Sequence, residues 1–171
     1  MARRLRYLLA IVALLAVVAY LAFATGAIAP YLAGYDPADP EGYDHTPVTV
    51  VDAETGAERG SVEAAVADTF PKRYVGLSET DRLPPDRGML FVHDEAGRYT
   101  YVMRNMSFAI DIVFVAENGT ITTIHHAPAP GSGEDGSDRE YEGQGRYVLE
   151  VNYNWTTDHD VEVGDRVAFD Q

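Results

Sequence analysis

The sequence predicts a mainly β fold: a compact antiparallel β-sandwich or partly open barrel with one or two short helices, preceded by one transmembrane helix. Three observations carry this. From Pro47 onward the chain falls into seven to nine short β-rich runs separated by turn residues, the pattern of an all-β domain. Asn118-Gly119 stands between two apolar runs, a tight-hairpin signal. An uncharged apolar block occupies the N-terminus, long enough to cross a bilayer at about 20 residues per span.

That block comes first. Arg3, Arg4 and Arg6 precede a run from Tyr7 to Tyr35 without a charged residue, and Asp36, Asp39 and Glu41 follow it. Backbone groups in lipid must be paired internally, so residues 7–29 are expected to be helical. Basic residues before the span place residues 1–6 in the cytoplasm and the body outside. The expected location is therefore the cell membrane, single-pass, with the bilayer as partner of residues 7–29. A cleaved signal peptide is the alternative, because Ala22-Phe23-Ala24 has the small-x-small form of a cleavage site. The apolar run, however, exceeds the ~7–15 residues of a signal core. Both readings export the body. Residues 30–46, rich in Pro, Gly and acids, read as a stiff solvated linker.

The exported domain, residues 47–171, holds one core's worth of chain and no internal repeat. Val48–Val51 reads as a strand, Ala53–Gly56 as a turn and Ser61–Ala67 as the returning strand. Asp68 or Thr69 can cap a helix from about Phe70 to Ser78, with Pro71 in its first turn. Gly88–Val92 is a buried-type strand, and Tyr99–Met103 alternates. Ile110–Ala116 is a nearly continuous apolar strand interrupted by Asp111. Asn118-Gly119 favours a type I′ turn, after which Ile121–His126 returns. Residues 128–145 are loop-like, Arg146–Val151 is a strand, Asn154–His159 forms one helical turn, and the segment from Val163 to Phe169 is a turn and final strand.

The net charge of -14 repels phosphate backbones and argues against a nucleic-acid partner. Lys72 is the single lysine, and the carboxylates are scattered rather than clustered. This fits a surface adapted to high salt, where screening weakens self-repulsion, better than one cation site. The absence of cysteine removes disulfides, thiol nucleophiles and thiolate metal sites.

Asp111 carries the main functional signal, because an ionised carboxylate inside an apolar strand is costly unless paired. One reading is a small pocket with Asp111 and Asn105 as polar anchors, Met89 and Met103 as apolar wall, and Arg87 nearby. The other has Asp111 bonded to backbone amides, Arg87 or Arg104, fixing the fold. His125 and His126 are adjacent in a strand and point to opposite faces. Neither they nor His93-Asp94-Glu95 present the three or four convergent ligands a metal needs, so neither a metal nor another cofactor is expected. No phosphate loop, Gly-x-Ser-x-Gly or His-Glu-x-x-His occurs. Asn105, Asn118 and Asn154 head N-glycosylation sequons, with Asn118 and Asn154 the better candidates.

Several of these motifs, taken in order, resemble the domain of unknown function 192 family from about Val66 to Phe169. They are Ala67-Asp68-Thr69, the run from Arg73 to Leu77, Arg87-Gly88-Met89-Leu90-Phe91, and Met103-Arg104-Asn105-Met106 with the strand that follows. Arg146–Val151 and Val163–Val167 complete the set. Gly76-Leu77-Ser78 and Tyr101-Val102 depart from the family's usual residues. The resemblance implies a compact, mainly antiparallel β fold and no activity. The expected function is a membrane-anchored extracytoplasmic module, non-enzymatic, that binds a small ligand or serves as an accessory. The alternatives are an envelope-acting hydrolase with Asp111 in an acid–base role and a structural partner-binding module.

Overall fold

The computed structural model describes residues 42–170. The expected tail, membrane span and most of the linker lie outside them. No helix among the described residues is long and apolar enough to cross a membrane.

The domain is one curled, mainly β sheet. Its strands are β1 (His45–Val51), β2 (Glu58–Ala67), β3 (Arg87–Val102), β4 (Ile110–Val115), β5 (Ile121–Ala127), β6 (Glu140–Asn152) and β7 (Arg166–Phe169). Their order is β5-β4-β6-β3-β2-β1-β7. Of the two architectures expected, the single sheet is the partly open barrel, not a sandwich. All pairs are antiparallel except β2 with β3. A parallel pair requires a crossover, and α1 (Phe70–Val75) lies within it. Thr69 caps α1 by accepting from the Lys72 amide, Pro71 occupies the first turn, and Gly76 ends the helix at φ 51.

The curl brings the two edge strands together at one end. Thr120 bridges Arg166, and the Val167 amide donates to the Gly119 carbonyl at 2.8 Å. Only Gly119 in the β4–β5 turn has positive φ. A type I′ turn needs it at two residues, so the expected type is replaced by a turn ending in a left-handed glycine.

Both faces of the sheet are apolar. The inner face draws Val48, Val62, Leu90, Val113, Ile121, Leu149 and Val167 from all seven strands. Trp155, from α2 (Trp155–Asp158), fills its open end. The outer face carries Met89, Phe91, Ile110, Ile112, Phe114 and Val148, covered by Tyr43, Leu77, Met103 and Met106 from flanking segments. Two strands read separately from sequence, Gly88–Val92 and Tyr99–Met103, are one strand. Between Val92 and Gly97 it bulges by a register shift against β6. β6 likewise begins at Glu140, inside the stretch read as a loop.

Asp111 holds α2 in place. It is fully buried. Oδ1 accepts from His126 Nδ1 at 2.7 Å and the Asn154 amide at 3.1 Å. Oδ2 accepts from the Thr156 amide at 2.9 Å and Thr156 Oγ1 at 2.6 Å. A carboxylate offers about four acceptor positions, and all are used. Two of the donors are amides at the start of α2, which a helix of this length cannot satisfy within itself. Asp111→Asn turns an amide N–H₂ toward these donors. The expected loss is about 3 kcal/mol, read as a lower urea midpoint at unchanged m-value. Unaltered stability would remove Asp111 from this role.

Candidate functional site

The expected pocket of Met89, Met103, Asn105, Asp111 and Arg87 does not assemble as one site. Met103 is buried in the outer-face core. Asn105 is exposed, with left-handed φ of 56 and its amide donating to the Asp135 carbonyl. Asp111 lies on the other side of the sheet, committed to protein donors. Arg87 and Met89 do line one groove, of about 590 Å³, beside Tyr43 and Leu83. A second hollow of about 550 Å³ lies by Thr46, whose hydroxyl donates to the Asp170 carbonyl at 3.2 Å. Asn105, Asn118 and Asn154 are all exposed.

A different residue marks the candidate site. Glu150 lies on β6 opposite Met89 of β3 and Ile112 of β4. Alternation along β6 turns Leu149 and Val151 inward and Val148 to the outer face, and Glu150 follows Val148. Its residual exposure is 5%. Its carboxyl has no hydrogen bond or ion pair among the described residues. It lines a cavity of about 250 Å³ formed where α1 and the residues after it cover β3.

The walls follow from local structure. Arg73 fastens α1 to β3, with Nη1 donating to the Asp68 carbonyl at 2.7 Å and the Val92 carbonyl at 2.8 Å. The β3 bulge lets His93 and Tyr99 stack with ring centroids 3.5 Å apart. Tyr101 hydrogen-bonds His93 Nε2 at 3.0 Å and meets Phe91 edge-on at 5.0 Å. Arg104, beyond β3, donates to the Tyr74 carbonyl and lies over the Tyr74 ring at 4.1 Å. It has no carboxylate partner among the described residues. The cavity therefore joins a buried acid, an aromatic wall and two guanidinium groups. Neither Asp111 nor His126 lines it or the two larger hollows.

Burial alone pushes the Glu150 carboxyl up to about 8. His93 moves the opposite way, to about 4, through burial and then the Arg73 charge, against Asp94. Burial, and next the Glu150 charge, hold the Tyr101 hydroxyl above the ordinary tyrosine range. At neutral pH the site thus contains a protonated acid, a neutral imidazole and two cations. Sequence reasoning missed Glu150, although Leu149-Glu150-Val151 carries the same signal that singled out Asp111: a charge within an apolar strand.

Folding takes a proton onto Glu150 between its ordinary value of 4.5 and about 8. The stabilising state is complete below the lower value. Stability then falls as pH rises, by about 1.4 kcal/mol per unit, and levels off above the upper value. His93 contributes the reverse slope between about 4 and its ordinary 6.5, so the Glu150 decline stands unopposed only from about 6.5 to 8. In Glu150→Gln that decline should vanish from urea melts taken across this range. A wild-type decline in the variant would assign it to another group.

A family model described as an uncharacterized ACR, the domain of unknown function 192 family, matches residues 51–169, beginning earlier than the sequence motifs indicated. No curated protein matches the sequence. The fold is similar to a Sinorhizobium meliloti crystal structure described as a candidate transcription regulator. That likeness has 28% identity, a TM-score of 0.66, and coverage of 74% of this chain and 95% of the other. It is also similar to a Novosphingobium aromaticivorans protein of unknown function, at 24% identity, a TM-score of 0.67, and coverage of 75% and 88%. With most of its described domain inside the family match, the chain belongs to the domain of unknown function 192 family.

Proposed function

We propose that the protein is a small-ligand-binding module, carried on the outer face of a membrane by residues 7–29. One observation supports the binding reading above the others: Glu150 is a buried carboxyl without a protein partner, facing a cavity. Such a group destabilises the fold, and an apolar residue of similar volume would stabilise it. A ligand that pairs with it gives the arrangement a use. The two larger hollows hold no comparable group. Their polar lining residues are exposed, half-buried or already paired.

The hydrolase alternative draws on the short His126–Asp111 bond, the geometry of an oriented imidazole. Every acceptor position of Asp111 is occupied, however, and the pair lines none of the three cavities described above. A role in transcription, as described for the Sinorhizobium meliloti relative, would require this strongly acidic chain to approach phosphates against its own charge. High-salt adaptation of the surface is part of the proposal and rests on composition alone.

The test titrates the full-length protein in detergent with a library of small metabolites, following the side-chain NMR signals of His93, Tyr99 and Tyr101. Ser78, half-buried in the segment after α1 and lining the cavity, gives the control. At least one solute should move these signals in the wild type and not in Ser78→Trp, whose indole obstructs the cavity. Shifts that persist in the variant would place binding elsewhere and end this reading. The anchor is tested separately: carbonate washing of membranes should leave the protein in the pellet at full mass, and release at reduced mass would show cleavage.

A further inference from the structure

We infer that the Glu150 cavity binds a small zwitterion, an α-amino acid or a betaine, with its cationic end at Glu150 and its carboxylate at Arg104. This rests on the cavity being a ligand site. The argument proceeds by matching charge. Glu150 is an acid with no partner, and the rings of Phe91, Tyr99 and Tyr101 line the same cavity. A carboxylate beside aromatic rings is the combination that stabilises an ammonium or quaternary nitrogen away from water.

Arg104 supplies the other end. One of its nitrogens is held by the Tyr74 carbonyl and its plane is held against the Tyr74 ring. Its charge remains without a counterion among the described residues, and a pre-positioned guanidinium is a carboxylate receptor. Arg73 is less available, being committed to two carbonyls, with the exposed Asp94 carboxylate 3.9 Å away.

The two ends are separate. Among the described residues neither Arg73 nor Arg104 lies within ion-pairing distance of the Glu150 carboxyl. A neutral apolar ligand would leave both ends unpaired. A simple anion would meet the acid, and a simple cation would meet the arginines. Only a molecule carrying both charges complements both ends. The volume of about 250 Å³ lies below the roughly 300–1,000 Å³ of sites for drug-sized ligands and suits a molecule of amino-acid size.

The charge assignment has a readout beyond affinity. Pairing with a cation ionises Glu150, so binding below about pH 8 must release a proton. The groups sharing the cavity are Arg73 and Tyr74 from α1, His93, Tyr99 and Tyr101 from β3, and Arg104 from the loop beyond it. His93 is already neutral and Tyr101 stays protonated, so the proton comes from Glu150.

The experiment is calorimetry on the full-length protein in detergent near pH 6.5. The probes are the proteinogenic amino acids, glycine betaine, and two halves of leucine: 4-methylvalerate, without the amine, and isopentylamine, without the carboxylate. At least one zwitterion should bind, with about one proton released per ligand as measured in buffers of different ionisation heat. Leucine or its best-binding analogue should exceed each half by at least tenfold. Glu150→Gln should abolish the proton release and weaken zwitterion binding at least tenfold, leaving the weak binding of 4-methylvalerate unchanged. Arg104→Gln should weaken the zwitterion and spare the amine. Circular dichroism confirms that each variant is folded, and Ser78→Trp gives a blocked control should either fail. Equal binding of 4-methylvalerate, or binding without proton release, overturns the zwitterion while leaving the cavity a ligand site. No binding by any zwitterion also overturns it, and the Ser78→Trp comparison then judges the cavity independently.

Discussion

The structure depends on a single sheet that is apolar on both faces. A flat sheet of this kind would expose one of them. Curling solves half of the problem: the inner face packs against itself, and the edge strands approach through the Thr120–Arg166 bridge. The outer face must be covered by something else. The parallel β2–β3 pair supplies part of that cover, because its crossover carries α1 and the residues after it across the outer surface. The cavity is where this cover does not reach the sheet.

Two carboxylates sit in apolar strands of this sheet, and their opposite surroundings give them opposite roles. Asp111 meets four donors, two of them amides at the start of α2. Its burial is compensated, and it ties the Trp155 plug to β4. Glu150 meets none among the described residues and remains protonated by desolvation. An acid kept neutral this way loses stability as pH rises toward its shifted value. Perturbed, uncompensated groups of this kind concentrate at functional sites, which is why the cavity outranks the larger hollows.

The cavity also brings together residues distant in sequence. Arg73 comes from the crossover helix, His93 and Tyr101 flank a bulge, and Glu150 arrives from a strand paired on both sides. The bulge is decisive. It gives β3 the extra length that returns Tyr99 to stack on His93. Without it, strict alternation would carry the second half of the strand along a different line.

The sequence by itself determined the mainly β class, the capped helix at Thr69 and the family. These follow from local chemistry: alternation, turn residues and a hydroxyl capping an amide three residues on. It also marked Asp111 as needing partners, without naming His126 or Thr156. Only the tertiary structure decided which buried acid is satisfied and which is not. Asp111 and Glu150 look alike in sequence, each a charge between branched apolar residues. What separates them is the opposite faces they take and the segments that cover those faces, and both are set by long-range pairing. The parallel pair, the β3 bulge and the Gly119 turn are decided at the same level, because each satisfies backbone bonds to strands far away along the chain.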